Sequence, residues 1–336
     1  MTAWAAILAG GSGTRFWPLS TPERPKQLLP LAGDRPLLVQ AVERLQGVVP
    51  PERIVILTGP FLVDRVTALV PHVPQANVWA EPRSASTAPA LVWAADWIAK
   101  QEPSALMLSL HADWAVDDDR AFRTAAKHAL ATAEEHDVLV TVGVKPTRNE
   151  TGYGYIIPGG PLGAARSVRR FVEKPSVARA ALLRRRGALW NTGLFAWHVA
   201  RFLGEAGAYA RELRGGWGPL RGGDVPGFFA AVESAAVDTA VLERSRRLAV
   251  VTGGFGWDDI GSWDALLRIR PADGRGNVVV GNATLDADVR RSVVWVEGDQ
   301  VAVSGLEDMV VVRANGRLLV MPTGRAERLK AMVPKL

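Results

Sequence analysis

The 336-residue chain contains no cysteine. That excludes disulfides and thiolate chemistry, and it makes zinc sites unexpected. It also fits a reducing compartment. Histidine is scarce, five residues in all, and shows no ligand spacing. No Ser/His/Asp arrangement can be assembled for nucleophilic catalysis. No apolar run approaches the ~20 residues that a membrane-crossing helix requires. The amino terminus lacks a basic stretch followed by an apolar core, because Trp4 to Gly11 is short and ends in a glycine turn. The expected setting is therefore the cytoplasm, without membrane attachment. Basic tracts are missing too: 40 Lys and Arg face 34 Asp and Glu for a net charge of +6, and the positives are scattered. The densest run, Arg184-Arg185-Arg186, reads as an exposed helix end, where cations are favoured by the dipole. Nucleic acid is not an expected partner, whereas attraction of anionic small molecules is.

Two nucleotide motifs are also absent. After Gly11-Ser12-Gly13 the chain runs Thr14-Arg15-Phe16, so the third glycine of the dinucleotide fingerprint is missing. No acid ends a second strand where that motif requires one. The P-loop pattern fails because Lys26 lies far beyond the last glycine and no Ser or Thr follows it. A dehydrogenase and a Walker-type NTPase are disfavoured.

What the chain does have is an apolar strand, Trp4 to Leu8, feeding a glycine loop followed by two cations, Arg15 and Lys26. Glycines without Cβ let backbone N–H groups approach an anion, and the cations add charge. With 48% hydrophobic and 22% charged residues, the chain suits a packed globular protein, one large α/β domain with a smaller appendage. Continuous apolar runs at 4–8, 53–58, 105–110 and 138–144 read as strands buried on both faces of a sheet. Helical patterns at 36–46, 87–99 and 118–135 lie between them, the second with Thr87 as its expected cap and the third opened by Asp117-Asp118-Asp119. This alternation predicts a doubly wound, mostly parallel, Rossmann-like α/β sheet. Runs at 168–173 and 193–197 read as insertions that wall a pocket. From 276 to 321, short β runs separated by Gly, Asn and Asp predict a small all-β, solenoid-like appendage whose apolar strands could serve a homodimer. The expected division is a catalytic domain over 1–268 and a β-rich domain over 269–336.

Several residues could carry chemistry, each with a plainer alternative. Asp113 follows an apolar strand at the carboxyl edge of the sheet, where a carboxylate could hold Mg²⁺ or simply cap the turn into the next helix. Asp258-Asp259 could supply a second metal-binding carboxylate or serve as turn residues. Glu173-Lys174 could accept from sugar hydroxyls and neutralise a phosphate, or form a solvated strand edge. Asn191 offers an amide that both donates and accepts, and Thr151-Gly152-Tyr153-Gly154-Tyr155 could form a hairpin or a pocket floor.

In this order the segments resemble the sugar-1-phosphate nucleotidyltransferases, and more closely their bacterial mannose/GTP branch. The resemblance rests on Leu8-Ala9-Gly10-Gly11-Ser12-Gly13-Thr14-Arg15-Phe16-Trp17-Pro18-Leu19-Ser20 with Arg24-Pro25-Lys26-Gln27, and on Glu81-Pro82 with Thr87-Ala88-Pro89-Ala90. It continues through Thr151 to Ile156, Phe171 to Pro175, Trp190 to Phe195 and Trp257 to Trp263. The resemblance implies in-line attack of mannose 1-phosphate on the α-phosphorus of GTP, giving GDP-mannose and pyrophosphate with Mg²⁺ as cofactor. Such a reaction needs positioning and charge neutralisation more than a protein nucleophile or base. Carried over by residue, Leu8, Ala9, Gly10, Gly11, Ser12, Gly13, Thr14 and Arg15 would hold the nucleotide, with Glu81, Thr87 and Ala88 at the guanine. Arg15 and Lys26 would be catalytic, neutralising pyrophosphate and the reacting phosphate. Asp113 and Asp259 would bind the metal, and Gly152, Glu173, Lys174 and Asn191 the sugar phosphate. A transferase for glucose 1-phosphate or another NTP, and a non-catalytic sugar-nucleotide sensor, are the alternatives. One departure stands out: the family's usual Pro-Ala-Asp-His reads His111-Ala112-Asp113-Trp114 here. Many bacterial members also carry an isomerase domain; with the chain ending at Leu336, transfer activity alone is expected.

Overall fold

Val, Ile and Leu dominate the runs that end each βα step, and they form strands because branched side chains pack well on a pleated surface. A computed structural model describes residues 2–11, 14–325, 329, 332 and 333. In chain order the first strands are β1 (Ala3–Leu8), β2 (Ile54–Thr58), β3 (Val78–Ala80), β4 (Leu106–His111), β5 (Ala115–Val116) and β6 (Leu139–Val144). They are followed by β7 (Tyr155–Leu162), β8 (Ala165–Val172), β9 (Leu189–His198), β10 (Leu248–Thr252) and β11 (Trp257–Asp258). The helices that matter for the site are α1 (Leu37–Arg44), α2 (Val63–Leu69), α3 (Thr87–Gln101) and α4 (Asp119–His136).

The chain divides into two compact units, each assembled from several segments. Unit 1 comprises Met1–Gly10, Val42–His111 and Asp118–Trp257. Its nine-stranded sheet has the order β3-β2-β1-β4-β9-β6-β10-β8-β7. The pairings β1–β2, β1–β4, β2–β3 and β6–β10 are parallel. Only β8 and β9 run against the other seven strands. This is the mostly parallel α/β sheet the alternation predicts. One expectation is overturned: the runs 168–173 and 193–197 are not insertions, because the first lies largely in β8 and the second in β9, which is seated between β4 and β6. Its Leu194-Phe195-Ala196-Trp197 stretch is buried throughout, as a central strand demands. The Gly/Pro-rich region at 152–164 likewise contains a strand, β7, which pairs with both β8 and β9.

The start of α3 also differs from expectation. Ser86 occupies the cap position with φ 64° and ψ −169° and makes no capping hydrogen bond. Thr87 is the first helical residue, and its hydroxyl accepts from the Val237 N–H at 2.8 Å. In α4 the cap is Asp118, whose carboxylate accepts from the Ala121 N–H at 2.9 Å.

Unit 2 comprises Gly11–Ala41, Ala112–Asp117 and Asp258–Leu336. It contains β12 (Val278–Val280), β13 (Ala283–Leu285), β14 (Val293–Val296), β15 (Val301–Val303), β16 (Met309–Ala314) and β17 (Arg317–Pro322). β12, β14 and β16 stack in parallel, with Val278 beside Val293 and Val293 beside Val310; β17 closes the sheet antiparallel to β16. β13 and β15 pair in parallel as a second, smaller sheet. Parallel strands of successive coils stacked in register give the solenoid-like appendage expected from the sequence. One apolar face of this sheet packs with Phe16, Leu19, Leu29 and Trp263, so the segment after the glycine loop shares its core. Asn315 Nδ2 donates to the Pro18 carbonyl at 2.8 Å, and Arg24 forks onto Glu297 at 3.0 and 3.1 Å. Among the described residues, no helix is long and apolar enough to cross a membrane.

Candidate functional site

Unit 2 holds the charged part of the predicted site. Lys26 opens a single 3₁₀ turn, Lys26–Leu28, and its side chain is only 11% exposed. Its Nζ donates to Asp113 Oδ2 at 2.9 Å and, by a short contact, to the backbone carbonyl of Asp259. Residues 26, 113 and 259 thus meet around one ammonium. Asp113 does not cap the following helix; that role belongs to Asp118.

The adjacent aspartates 258 and 259 have different jobs. Asp258 is buried, accepts from the Ile260 N–H at 2.9 Å, and takes both Nε and Nη2 of Arg268 at 2.8 and 3.1 Å. Ile260, fully buried, is held at φ 48°, a left-handed conformation that a β-branched residue adopts only under constraint. The turn leaves Asp259 half-buried beside Gly261. A Cβ on Gly261 would lie 3.3 Å from both Asp259 carboxylate oxygens and 3.6 Å from Arg15 Nη1, so Arg15 and Asp259 converge there. Arg15 itself donates to the Gly261 carbonyl at 3.3 Å.

The glycine loop is placed by its ends. Leu8 closes β1, and the buried Ala9 donates its N–H to the Leu57 carbonyl at 2.8 Å while its carbonyl accepts from the Thr58 hydroxyl. Gly10 and Gly11 are exposed, and Gly11 has φ 114°, which requires glycine. Ser12 and Gly13 lie outside the described residues; Thr14 and Arg15 begin a 3₁₀ turn.

In unit 1 the predicted base-binding residues are spread over two elements. Glu81 is buried just beyond β3, with its N–H on the Thr58 carbonyl at 2.8 Å. Burial pushes its carboxyl up to about 7. A Cβ on Gly10 would stand 3.3 Å from Glu81 Oε1, so the glycine sits against this carboxyl. Thr87 and Ala88 bind the segment before residue 238, Ala88 donating to the Ala235 carbonyl at 2.9 Å.

The predicted sugar-side residues form a denser group. Asn191, 8% exposed on β9, accepts at Oδ1 from the Thr141 hydroxyl at 2.7 Å and from the Gly193 N–H at 3.3 Å. Its Nδ2 donates to Asp238 Oδ1 at 2.8 Å. Glu173 donates its N–H to Glu243 Oε1 at 2.9 Å and pairs with Lys174 Nζ at 3.3 Å. Burial raises the Glu173 carboxyl above its ordinary range, against the pull of Lys174. Asp238 is pushed up to about 7, first by burial and then by the Glu173 carboxylate. Lys174 has φ 44° and an exposed side chain. The Gly152 N–H is taken by Glu150 Oε1 at 3.1 Å, and Arg148 braces this loop through Glu150 and the Tyr153 hydroxyl.

Sequence reasoning misses three members of this group. Gly154, rather than Gly152, makes room for the acid: a Cβ there would lie 2.6 Å from Glu173 Oε2 and 3.1 Å from the Phe171 ring. Thr141 lies inside a wholly buried strand, where only its hydroxyl marks it. Asp238 has a readable signal, an acid flanked by Val237 and by Ala240-Val241-Leu242, all buried.

A family model described as Nucleotidyl transferase matches residues 4–275. The alginate biosynthesis protein AlgA of Pseudomonas putida is 35% identical over 347 residues, covering 98% of this chain and 70% of that one. The mannose-1-phosphate guanylyltransferase of Escherichia coli is 33% identical over 352 residues, covering 99% and 73%. A crystal structure described as a mannose-1-phosphate geranyltransferase from Thermus thermophilus superposes with a TM-score of 0.90 at 35% identity, covering 100% and 99% of the two chains.

Proposed function

The chain belongs to the nucleotidyl transferase family and is a sugar-phosphate nucleotidyltransferase, and from that premise we propose that it joins GTP and mannose 1-phosphate into GDP-mannose with release of pyrophosphate. The observation that carries this reading is the Lys26 ammonium held between Asp113 and Asp259. Two acids and a cation from remote segments suit phosphoryl chemistry, which rests on placement and charge neutralisation. Similarity to the mannose-1-phosphate guanylyltransferase of Escherichia coli supports the choice of base and sugar.

In this reading the exposed Gly10 and Gly11 offer backbone N–H groups to the triphosphate, and Arg15 and Lys26 neutralise charge on the departing pyrophosphate and the reacting phosphate. Glu81, Thr87 and Ala88 face guanine. Glu173, Asn191, Lys174 and the Gly152 backbone bind the sugar phosphate. The attacking phosphate oxygen is already ionised near neutral pH, so no protein group must remove a proton.

The Asp113 and Asp259 carboxylates fit Mg²⁺, a hard ion that takes one or two carboxylates and completes its shell with phosphate oxygens and water. Among the described residues no group of three or more His, Cys, Asp or Glu forms a ready cage. A site of two acids completed by substrate matches that pattern. Bound there, Mg²⁺ would supply Lewis-acid neutralisation of the phosphate oxygens.

The test is a panel of nucleoside triphosphates against sugar 1-phosphates, scored by pyrophosphate release with and without Mg²⁺. GTP with mannose 1-phosphate is expected to give the highest kcat/KM. A marked preference for UTP or dTTP overturns the base assignment, preference for glucose 1-phosphate overturns the sugar, and binding without turnover of any pair marks a sensor.

A further inference from the structure

Asp238 reaches the sugar-side group through Asn191. A buried amide offers two nearly isosteric orientations, and its neighbours decide between them. Here the Gly193 N–H decides, because a backbone N–H can only donate. Two donors, the Thr141 hydroxyl at 2.7 Å and the Gly193 N–H at 3.3 Å, face one end of the Asn191 amide. An acceptor, Asp238 Oδ1 at 2.8 Å, faces the other. Reversing the amide would set NH₂ against the Gly193 N–H and a carbonyl against the Asp238 carboxyl. One Nδ2 hydrogen is used by Asp238, and among the described residues the second has no partner. Asp238 is half-buried at the start of a single helical turn, Asp238–Leu242.

We propose that Asp238 is a positioning residue for the acceptor sugar: it fixes the Asn191 amide so that the remaining Nδ2–H is presented to a hydroxyl of the sugar phosphate. The inference rests on the sugar-side assignment of Asn191 above. Asp238 touches no substrate in this scheme and acts only by holding the amide. The Thr141 hydroxyl performs the same task from the opposite end. The Asp238 carboxyl lies close enough to Glu173 for the Glu173 carboxylate to disfavour its ionisation.

The experiment compares wild type with Asp238→Ala, Asp238→Asn, Thr141→Val and Asn191→Ala, measuring KM for mannose 1-phosphate and for GTP separately. Losing one oriented hydrogen bond corresponds to about a tenfold change. Asp238→Ala is expected to raise the sugar-phosphate KM about tenfold and leave the GTP KM unchanged. Asp238→Asn, which keeps a carbonyl acceptor, is expected to restore it to within about threefold. In an Asn191→Ala background, Asp238→Ala should add almost nothing, because the group it orients is gone. Thr141→Val keeps the strand's shape and covers the case in which Asp238→Ala does not fold; it should raise the sugar-phosphate KM alone. The proposal is overturned if Asp238→Ala or Thr141→Val moves both KM values equally, or if the effects of residues 238 and 191 simply add. The sugar-side reading itself fails if Asn191→Ala leaves the sugar-phosphate KM unchanged, a separate result from the same set.

Discussion

Adjacent aspartates in one turn should fail in opposite ways when removed. Asp258 accepts from the Ile260 N–H at 2.9 Å and from Arg268 at 2.8 and 3.1 Å. Taking one partner from a buried ion pair costs ~3–5 kcal/mol. The Arg268 side chain is 33% exposed, so water recovers part of that loss. The buried Ile260 N–H then adds about 1–3 kcal/mol because its φ of 48° prevents easy rearrangement. A net loss of ~3 kcal/mol for Asp258→Ala follows, or a fall in melting temperature of roughly 4 °C for a chain of this length. Asp259 gives its backbone carbonyl to Lys26, and the backbone survives substitution. Asp259→Ala should therefore melt within about 2 °C of wild type, a change of ~0.5 kcal/mol. Its turnover should drop by at least about 10²-fold, as expected when a group that organises transition-state charge is lost. The assay is a thermal melt of both variants beside pyrophosphate release measured well below either transition. An Asp259→Ala enzyme of undiminished activity would refute the metal assignment. A large melting shift in Asp259→Ala with none in Asp258→Ala would reverse the division of labour and sink the structural argument.

Three further outcomes can be stated. Lys26→Met keeps the stem but removes the ammonium between Asp113 and Asp259; kcat should fall by about 10²–10³ with the fold retained, and near-normal kcat would exclude a catalytic charge at this position. Gly154→Ala forces Glu173 Oε2 from a Cβ 2.6 Å away, so the sugar-phosphate KM should rise by about tenfold or more while the GTP KM holds; equal changes in both would count against a sugar role for Glu173. Glu81 has an ordinary value of 4.5 raised to about 7 by burial, so the folded state retains a proton that the unfolded chain has lost. Its contribution to stability is therefore greatest below about 4.5 and declines as pH rises to 7. Glu81→Gln should flatten that decline in urea titrations between pH 5 and 8; an unchanged slope would show that the group is not held protonated.

The strands that build the sheet are readable where an apolar run is long enough. Ile54–Thr58, Leu106–His111 and Leu139–Val144 are each buried along nearly their whole length, and a doubly covered strand fits that pattern best. β3 escapes such a reading, because its three residues, Val78–Ala80, carry no period. β9 is visible as a run, but its seat between β4 and β6 is a long-range pairing that local sequence does not encode. The site divides in the same way. Gly11, Lys26, Asp113 and Asp259 belong to local patterns whose chemistry can be named from the chain. The reason for Gly154 is a side chain 19 positions later, and the reason for Asp238 is an amide 47 positions earlier. Both are consequences of proximity in the fold.

Backbone strain marks the same places from an independent direction. Among the described residues, seven non-glycine residues have positive φ, and three of them adjoin or belong to the predicted site: Ser86 before Thr87, Lys174 itself, and Ile260 after Asp259. Ser86, at φ 64° and ψ −169°, lies in a region that only glycine visits freely. Such residues cost ~1–3 kcal/mol each and persist only where surrounding bonds over-determine them. Those bonds are present. The Ala235 N–H donates to the Ala85 carbonyl and the Ala88 N–H to the Ala235 carbonyl, closing a clamp around Ser86. Lys174 donates its N–H to the Tyr153 carbonyl, and Ile260 is tied to Asp258. The clamp on Ser86 ends at Val237, whose N–H goes to Thr87 and whose next residue is Asp238. The start of α3 and the acid behind Asn191 are therefore held by one set of hydrogen bonds within unit 1. A change at Ser86 or Thr87 should reach the sugar-side group through that segment, without any contact between Thr87 and Asn191 themselves.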